Sequence, residues 1–506
     1  MANIDGGGST IDIAPGYRLA APGLAGTATA RNPRRPGSTD RGPELSTDAY
    51  DQAIAATGLT EVMNIDLAVR QVPPPPQAPE FRTVQGEEGL VLETPDLGPE
   101  VGQLVLAIDE GGVVSWNFPE SPDQKIEPPT VRGAGGTKKF MIRSYPPTQT
   151  EQTAETATRG IFGAVGRKIL KVLIYPVTDA VLGPVTDHFA AKWETKNRPY
   201  KARLFTPADF RNSEVEPMTG DDWRNVAGDR ALLFVHGTFS TSHGGFGGLP
   251  DATMAELHRR YGGRVFAFNH HTLSHTPEEN VAEMAARMPD DVSLEVDIVA
   301  HSRGGLVART LAGELPGVGV PGLSVNRAVF VATPNHGTAL ADAENIVNFI
   351  DRYTSILNVM PPGPLGVVSE ILEAIVTVVK VIGHAALTGL GGINSMDPTG
   401  DFMSRLNTGP APATEYYGMA ANYEPKGALG SMILKTVTDV VIDRVFADAA
   451  NDLVVPTLGV SEGSADLAFP IDPGRLLVYD QSRGVQHTSF FSEPDTSSKL
   501  LEWLTV

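Results

Sequence analysis

Short apolar runs alternate with longer amphipathic stretches along the chain from about residue 200 onwards. Several runs are apolar at consecutive positions, which is typical of parallel strands that are buried on both faces. The alternation predicts an α/β domain over residues 199–506, with a mostly parallel sheet flanked by helices. The predicted strands are 202–205, 231–235, 265–268, 296–300, 328–332, 416–420 and 475–479, and a terminal helix is predicted at 497–504.

The chain before this domain has a different pattern. Residues 1–80 are rich in Gly, Pro, Ser and Thr and are predicted to be largely irregular, apart from a short helix at 48–56. Residues 81–145 carry short β runs and a hairpin signal at 109–112, so a small β-rich domain is expected there. Residues 146–198 are predicted to form a helical linker.

Apolar side chains recur at helical spacing within this linker, between Thr158 and Tyr175. Basic residues lie on the other faces, so the helix could bind an anionic membrane surface or pack its apolar side against a neighbouring domain. Packing is favoured, because amphipathic helices more often bury their apolar stripe within the protein. The apolar positions are Phe162, Val165, Ile169 and Val172, and the basic ones are Arg167, Lys168 and Lys171.

Composition narrows the classes of function. The chain has 506 residues, enough for two or three folded units, and its formal net charge of -20 argues against nucleic acid as a partner. It contains no cysteine, which excludes disulfides, thiolate metal ligands and a cysteine nucleophile. A conventional secretory signal and a membrane-spanning run are not expected, so a cytoplasmic location is favoured. The oligomeric state is not predicted.

One predicted strand ends in a motif that suggests a catalytic serine. Residues 296–300 form an apolar run, Ser302 follows, and two glycines then lead into a helical pattern. Strand, sharp turn and helix are the parts of a nucleophile elbow, in which small neighbours allow the turn and the helix start presents free amides to an oxyanion. Ala300 stands where the usual pattern has its first glycine.

A second loop could complete an oxyanion hole. The predicted strand 231–235 is followed by His236 and Gly237, after which the chain can fold back towards the elbow. The amides of Thr238 and Arg303 are then the candidate oxyanion donors. His236 is expected to stabilise this loop rather than to titrate during catalysis.

Three histidines follow Ser302 and are candidates for its base. His487 lies shortly after the last predicted strand, where a loop can deliver it over the carboxyl edge of the sheet. His336 lies in a loop at a strand end and is a weaker candidate. His384 lies in an apolar, helix-like stretch and is better suited to packing.

Asp452 is the main candidate for the carboxylate that orients the base. It precedes a short apolar turn closed by Pro456 and lies between the last two predicted strands. This placement gives the chain order Ser, Asp, His that the architecture requires. Asp443 and Asp448 are reserve candidates, since either could be a solvated helix charge.

Together these motifs resemble those of bacterial lipases and esterases of the α/β-hydrolase superfamily. The resemblance implies Ser302, Asp452 and His487 as a catalytic triad, the amides of Thr238 and Arg303 as oxyanion-hole donors, and no cofactor or metal. It covers about residues 200–506. Its motifs are Val-His-Gly at 235–237, Ala-His-Ser-Arg-Gly-Gly at 300–305, Ala-Thr-Pro-Asn-His-Gly-Thr at 332–338, Asn-Asp-Leu-Val-Val-Pro at 451–456 and Val-Gln-His at 485–487.

A long segment between the fifth and sixth strands of this domain has helical, mainly apolar patterns. Residues 339–414 are predicted to form a helical cap over Ser302, and residues 428–450 could add a further helix. The apolar side of the cap would bind an acyl chain and could make peripheral contact with a membrane. The alternative is that these helices only extend the core.

The leading hypothesis is a serine hydrolase of carboxylic esters that acts on a hydrophobic ester or lipid through an acyl-enzyme on Ser302. Two alternatives remain open. The same triad could catalyse acyl transfer or thioester hydrolysis, or the chain could be a non-catalytic module on a hydrolase scaffold that docks to a membrane or a protein.

Overall fold

The computed structural model divides the chain into two compact units. A β unit comprises Met1–Thr186, Ile350–Ala385 and Gly427–Val441, and an α/β unit comprises Asp187–Phe349, Ala386–Lys426 and Ile442–Val506. The structure describes residues 1–33, 48–72, 90–109, 114–120, 136–142, 166–177, 189–341, 345–359, 365–383, 390–410, 413–423, 450–461 and 471–505.

The β unit contains two antiparallel sheets that share one apolar core. Leu92 and Phe140 enter this core from one sheet, and Leu67, Val105 and Leu170 enter it from the other. The six-stranded sheet has the order β1 (Ala2–Asp5), β4 (Leu24–Arg31), β5 (Thr60–Gln71), β10 (Gly166–Pro176), β7 (Val101–Asp109) and β8 (Val114–Asn117). The four-stranded sheet has the order β2 (Ile11–Ala14), β3 (Tyr17–Ala20), β6 (Leu90–Pro95) and β9 (Thr137–Ile142).

The prediction that residues 1–80 are largely irregular is wrong over the first five strands, although the predicted helix at 48–56 is confirmed as α1 (Asp48–Ala56). Several glycines behind this prediction lie in turns between strands. Gly16 and Gly23, for example, have φ of 79° and 71°, the left-handed backbone for which glycine is suited. The expected small β domain at 81–145 is therefore one part of a larger β unit.

The helical linker predicted at 146–198 is wrong at residues 166–176, which form strand β10. This strand lies between β5 and β7 and has apolar residues on both faces, so its spacing matched a helical stripe by coincidence. Lys171 is buried there, with its Nζ 2.6 Å from Asp51 Oδ1 and 3.2 Å from Glu61 Oε2. The strand removes one of the two features on which membrane contact was predicted. Residues 143–165 lie outside the described part.

Helices from the predicted cap region pack within the β unit. They are the part of α8 (Ile346–Val359) from residue 350 onwards and α9 (Leu365–Gly383), which packs on α1 and β7. Lys380 of α9 donates a hydrogen bond to the carbonyl oxygen of Thr57. The helices are thus present, and their placement over Ser302 stays a prediction.

The α/β unit is built on a seven-stranded mixed sheet flanked by helices, as predicted. Strand β11 is antiparallel to its neighbour, and the remaining pairs are parallel. The order is β11 (Lys201–Leu204), β13 (Val265–Asn269), β12 (Ala231–Val235), β14 (Leu294–His301), β15 (Leu323–Val331), β16 (Glu415–Ala421) and β17 (Leu476–Tyr479).

Both faces of this sheet are buried. Along β12, Leu233 and Val235 enter one apolar core, whereas Leu232 and Phe234 enter another on the opposite face. The helices among the described residues of the unit include α2 (Phe189–Asn197), α3 (Gly220–Val226), α4 (Ser242–Phe246), α5 (Asp251–Arg260), α6 (Pro277–Ala285), α7 (Gly304–Leu311), α10 (Gly391–Asn394), α11 (Asp401–Asn407) and α12 (Pro494–Trp503). Within the described ranges, no helix of either unit is both long and apolar enough to cross a membrane.

Candidate active site

Ser302 lies at the turn between strand β14 and helix α7. Its φ is 51°, so the backbone is left-handed at a residue with a side chain, a conformation that costs energy and is typical of functional turns. The Ser302 amide donates a hydrogen bond to Val331 O at 2.8 Å, and the Gly305 amide donates to Ser302 O at 2.9 Å. These bonds hold the turn against the neighbouring strand and the first turn of the helix.

Two glycines allow the surrounding backbone to approach this turn. A Cβ atom at Gly237 would lie 2.6 Å from Ser302 Cβ, and one at Gly304 would lie 2.4 Å from Val235 O. Both distances are shorter than side chains tolerate, so larger residues would push the loop after β12 away from the serine. The two glycines therefore keep this loop in contact with the elbow.

The structure brings the three predicted triad residues together in one hydrogen-bonded series. His487 Nε2 is 3.0 Å from Ser302 Oγ, and His487 Nδ1 is 2.8 Å from Asp452 Oδ2. All three side chains are buried. Because an ionised carboxylate only accepts hydrogen bonds, Nδ1 donates to Asp452, which leaves the Nε2 lone pair to accept the serine proton.

Asp452 is held by its own turn. Its Oδ1 accepts hydrogen bonds from the amides of Val454 at 3.0 Å and Val455 at 2.8 Å. Leu453, between them, has a φ of 84°. The Asp452 carbonyl oxygen also accepts the amide of His487 at 3.1 Å, so acid and base are linked through the backbone as well as through their side chains.

His336, the other base candidate that the structure describes, is not part of this series. His336 is exposed in the loop after β15, and its amide donates to Gly459 O at 3.2 Å. His384, Asp443 and Asp448 lie outside the described residues.

The backbone around Thr238 and Arg303 fits the predicted oxyanion hole. Thr238 follows Gly237, which lies against Ser302, and Arg303, directly after the serine, is the N-cap of helix α7. Among the hydrogen bonds of the described residues, none is donated by the amide of Thr238 or Arg303. Both amides are thus available to bind an oxyanion.

His236 stabilises this loop. Its Nε2 accepts a hydrogen bond from the His270 amide at 3.2 Å, so its Nδ1 carries the proton and donates to Gly237 O at 3.1 Å. Burial lowers the pKa of His236 to about 3. The ring is therefore neutral at ordinary pH, in agreement with a structural role.

Two side chains next to Ser302 have roles that the motif did not predict. His301 Nε2 donates to the carbonyl oxygen of His487 at 3.0 Å, and burial lowers the pKa of His301 to about 3. The buried guanidinium of Arg303 donates to Gly392 O at 2.6 Å and also bonds the carbonyl oxygen of His275. The motif shows that these residues flank the serine, but their partners are distant in sequence.

Among the described residues, no group of three or more His, Asp or Glu side chains is arranged to hold a metal ion. The carboxylate and imidazole groups at the site are instead committed to each other, as the distances above show.

The model of one protein family, described as a domain of unknown function (DUF7379), matches residues 197–505, more than half of the chain. The chain belongs to this family. The match coincides with most of the α/β unit and includes all five predicted site residues. Comparison with the curated proteins gives no match.

Several solved structures show a weak likeness to the chain. Lipase 1 from Pelosinus fermentans is 15% identical with a TM-score of 0.33, and the match covers 55% of this chain and 99% of the lipase. Phospholipase PlaB from Legionella pneumophila is 13% identical with a TM-score of 0.32, covering 55% of this chain and 63% of PlaB. MenH from S. aureus is 12% identical with a TM-score of 0.30, covering 61% and 98%. At these scores the likenesses carry no weight for fold or function.

Proposed function

We propose that this chain is a serine hydrolase of the α/β-hydrolase superfamily that cleaves carboxylic esters through an acyl-enzyme on Ser302. The observation that carries the proposal is the series Asp452–His487–Ser302, with contacts of 2.8 and 3.0 Å, at a left-handed serine between a strand and a helix. Ser302, Asp452 and His487 follow strands β14, β16 and β17, which are parallel, so the three residues lie at the carboxyl edge of the sheet.

In the proposed reaction, His487 takes the proton of Ser302 Oγ as the oxygen attacks the ester carbonyl. Asp452 stabilises the imidazolium that forms, and the amides of Thr238 and Arg303 bind the oxyanion. His487 then donates its proton to the leaving alcohol. Water, activated by the same histidine, attacks the acyl-enzyme and releases the acid.

The residues next to the oxyanion loop support an apolar acyl group. The ring of Phe239 stacks on that of Phe349 with centroids 5.7 Å apart, and Thr238 Oγ1 lies 3.8 Å from the sulfur of Met396. These apolar side chains are buried and would favour a hydrocarbon chain over a charged substituent. A hydrophobic ester or lipid is therefore the proposed substrate class.

The proposal is tested by hydrolysis of p-nitrophenyl esters of graded chain length. We expect Ser302→Ala to lower turnover by roughly 10⁴-fold or more while the chain stays folded, because the nucleophile is lost. Ser324→Ala, which removes an exposed serine of strand β15, is the matched control and should retain activity. Substantial turnover by Ser302→Ala would contradict the proposal, and faster product release on adding an alcohol would instead favour acyl transfer.

A further inference from the structure

Glu194, on helix α2, is fully buried and binds the backbone of the loop after β13. Its Oε1 accepts the amides of Thr272 at 2.6 Å and Leu273 at 3.0 Å. Its Oε2 accepts the amide of Ser274 at 3.0 Å and the Ser274 hydroxyl at 2.6 Å. A carboxylate can accept from all of these donors because neither of its oxygens carries a proton. The side-chain amide of a glutamine at this position would instead point its two N–H protons at the donors of the loop.

Thr272 passes this restraint on to the oxyanion loop. Its Oγ1 accepts the amide of Phe239 at 3.3 Å and lies 3.4 Å from Glu194 Oε1, to which it can donate its proton. The hydroxyl is therefore oriented by the carboxylate. As a result, the amide side of Phe239 is fixed by Glu194 through one intermediate residue.

Arg198 fixes the carbonyl side of the same residue. Its guanidinium donates to Phe239 O at 2.7 Å and to Ser240 O at 3.4 Å. The Arg198 amide donates to Glu194 O at 2.6 Å, so the two side chains come from one helical turn. Glu194 of helix α2 and Arg198, directly after the helix, thus hold both backbone groups of Phe239.

Phe239 needs this restraint because its φ is 61°. A bulky residue in the left-handed region is strained and persists only where its surroundings enforce that conformation. Thr238, whose amide is the proposed oxyanion donor, is the preceding residue. Release of Phe239 would therefore let the Thr238 amide turn away from Ser302.

We propose that Glu194 and Arg198 are positioning residues for the oxyanion hole, which they act on through Phe239 without touching the substrate. The inference rests on the proposed esterase function. Glu194 precedes the segment that the family model matches, whereas Arg198 lies within it.

The test compares Glu194→Gln and Arg198→Ala with two variants that each remove an exposed charge, Lys192→Gln on the same helix and Glu216→Gln elsewhere in the unit. We expect kcat per active site to fall about tenfold or more in the first pair, with KM within about twofold, because the oxyanion exists only in the transition state. Active sites are counted from the stoichiometry of covalent labelling with a fluorophosphonate at its end point. Inhibition by a trifluoromethyl ketone, whose adduct carries an oxyanion, should weaken in parallel. Arg198→Lys should recover part of kcat.

Three results separate the possible failures. If the first pair has fewer titratable sites or a lower melting temperature but an unchanged kcat per site, the residues are merely structural and the inference is overturned. Inhibition by the ketone that stays as tight as in the unmodified chain overturns it as well. An unmodified chain that neither hydrolyses esters nor reacts with the fluorophosphonate overturns the esterase function itself, together with the role that depends on it.

Discussion

At the scale of single residues, backbone strain is concentrated around the candidate site. The non-glycine residues with left-handed φ among the described ones are Phe239, Ser302, Ala332 and Leu453. Each belongs to, or directly follows, an element that carries the site: the oxyanion loop, the elbow, the end of β15 and the Asp452 turn. Such strain persists where packing and hydrogen bonds enforce it, so these positions indicate a preorganised site.

His301 should support catalysis through the backbone of His487. The carbonyl oxygen of His487 is buried and accepts His301 Nε2–H at 3.0 Å. The side-chain amide of His301→Gln reaches about as far as Nε2 and should keep kcat. The shorter His301→Asn places its amide near Nδ1, so it should leave the carbonyl unpaired and lower kcat about tenfold, or ~1.4 kcal/mol.

The measurement is kcat for one ester with active sites titrated. Equal activity of the Gln and Asn variants would show that this hydrogen bond does not support the base.

The sequence predicted the residues of the series but not their supports. Ser302, Asp452 and His487 were found because an elbow, a turn and a loop each follow a recognisable strand in a required order. Glu194 and the guanidinium of Arg303 act through backbone carbonyls and amides of distant loops. Such partners have no residue type or spacing that a sequence could reveal.

At the scale of elements, helix α8 covers an open sheet edge within the β unit. Strand β8 is at the end of the six-stranded sheet. Asp351 Oδ1 accepts the Trp116 amide at 2.8 Å, and Ser355 Oγ accepts the Val114 amide at 3.0 Å. Asp351 and Ser355 are four residues apart and therefore lie on one side of the helix. The amides of Val114 and Trp116 are two residues apart and point to one side of the strand at a similar spacing, so each amide meets one of the two side chains. This contact protects an edge that could otherwise pair with another chain.

Asp351→Ala should therefore destabilise the β unit. It leaves the buried Trp116 amide without its acceptor, which costs about 1–3 kcal/mol. Hydrogen exchange by mass spectrometry should show faster exchange in peptides that cover β8. Asp12→Ala, which removes an exposed carboxylate from strand β2, is the control. Unchanged exchange in Asp351→Ala would contradict the role assigned to the helix.

The strands of the α/β unit are predictable because both of their faces are buried in apolar cores. Such strands are apolar at consecutive positions, which is a pattern that the sequence shows directly. The helical prediction over strand β10 is wrong for a related reason. It too is apolar on both faces, but its buried Lys171 has acidic partners on α1 and β5, more than a hundred residues away. The sequence does not show that Lys171 is paired with distant acidic residues, so the spacing of Lys168 and Lys171 is typical of the polar side of a helix.

At the scale of the whole molecule, buried neutral histidines should make the α/β unit sensitive to acid. Burial lowers the pKa of His236 and His301 to about 3 and holds that of His270 well below its usual value. As pH falls below about 6.5, the unfolded chain binds protons that the folded unit excludes. Stability should therefore be lost from about pH 6.5 downwards, by roughly 1.4 kcal/mol per pH unit for each histidine.

Asp297 acts in the opposite direction, because burial raises the pKa of its carboxyl, but burial also lowers the pKa of His258 and His271, which adds to the effect of the three histidines above. Urea unfolding at several pH values, followed by tryptophan fluorescence, measures the effect, since Trp193, Trp223 and Trp503 lie in the α/β unit. His270→Gln should flatten the curve. Stability that stays level or rises as pH falls from about 6.5 would contradict this account.

The most direct measurement for the central claim is covalent labelling of the intact chain with a fluorophosphonate, followed by mass-spectrometric mapping. The account predicts one label per chain, on Ser302, because His487 Nε2 lies 3.0 Å from that hydroxyl and can take its proton. Labelling should be slowed in His487→Ala and absent in Ser302→Ala. A label on another residue, or undiminished labelling of Ser302→Ala, would contradict the assignment of Ser302 as the nucleophile.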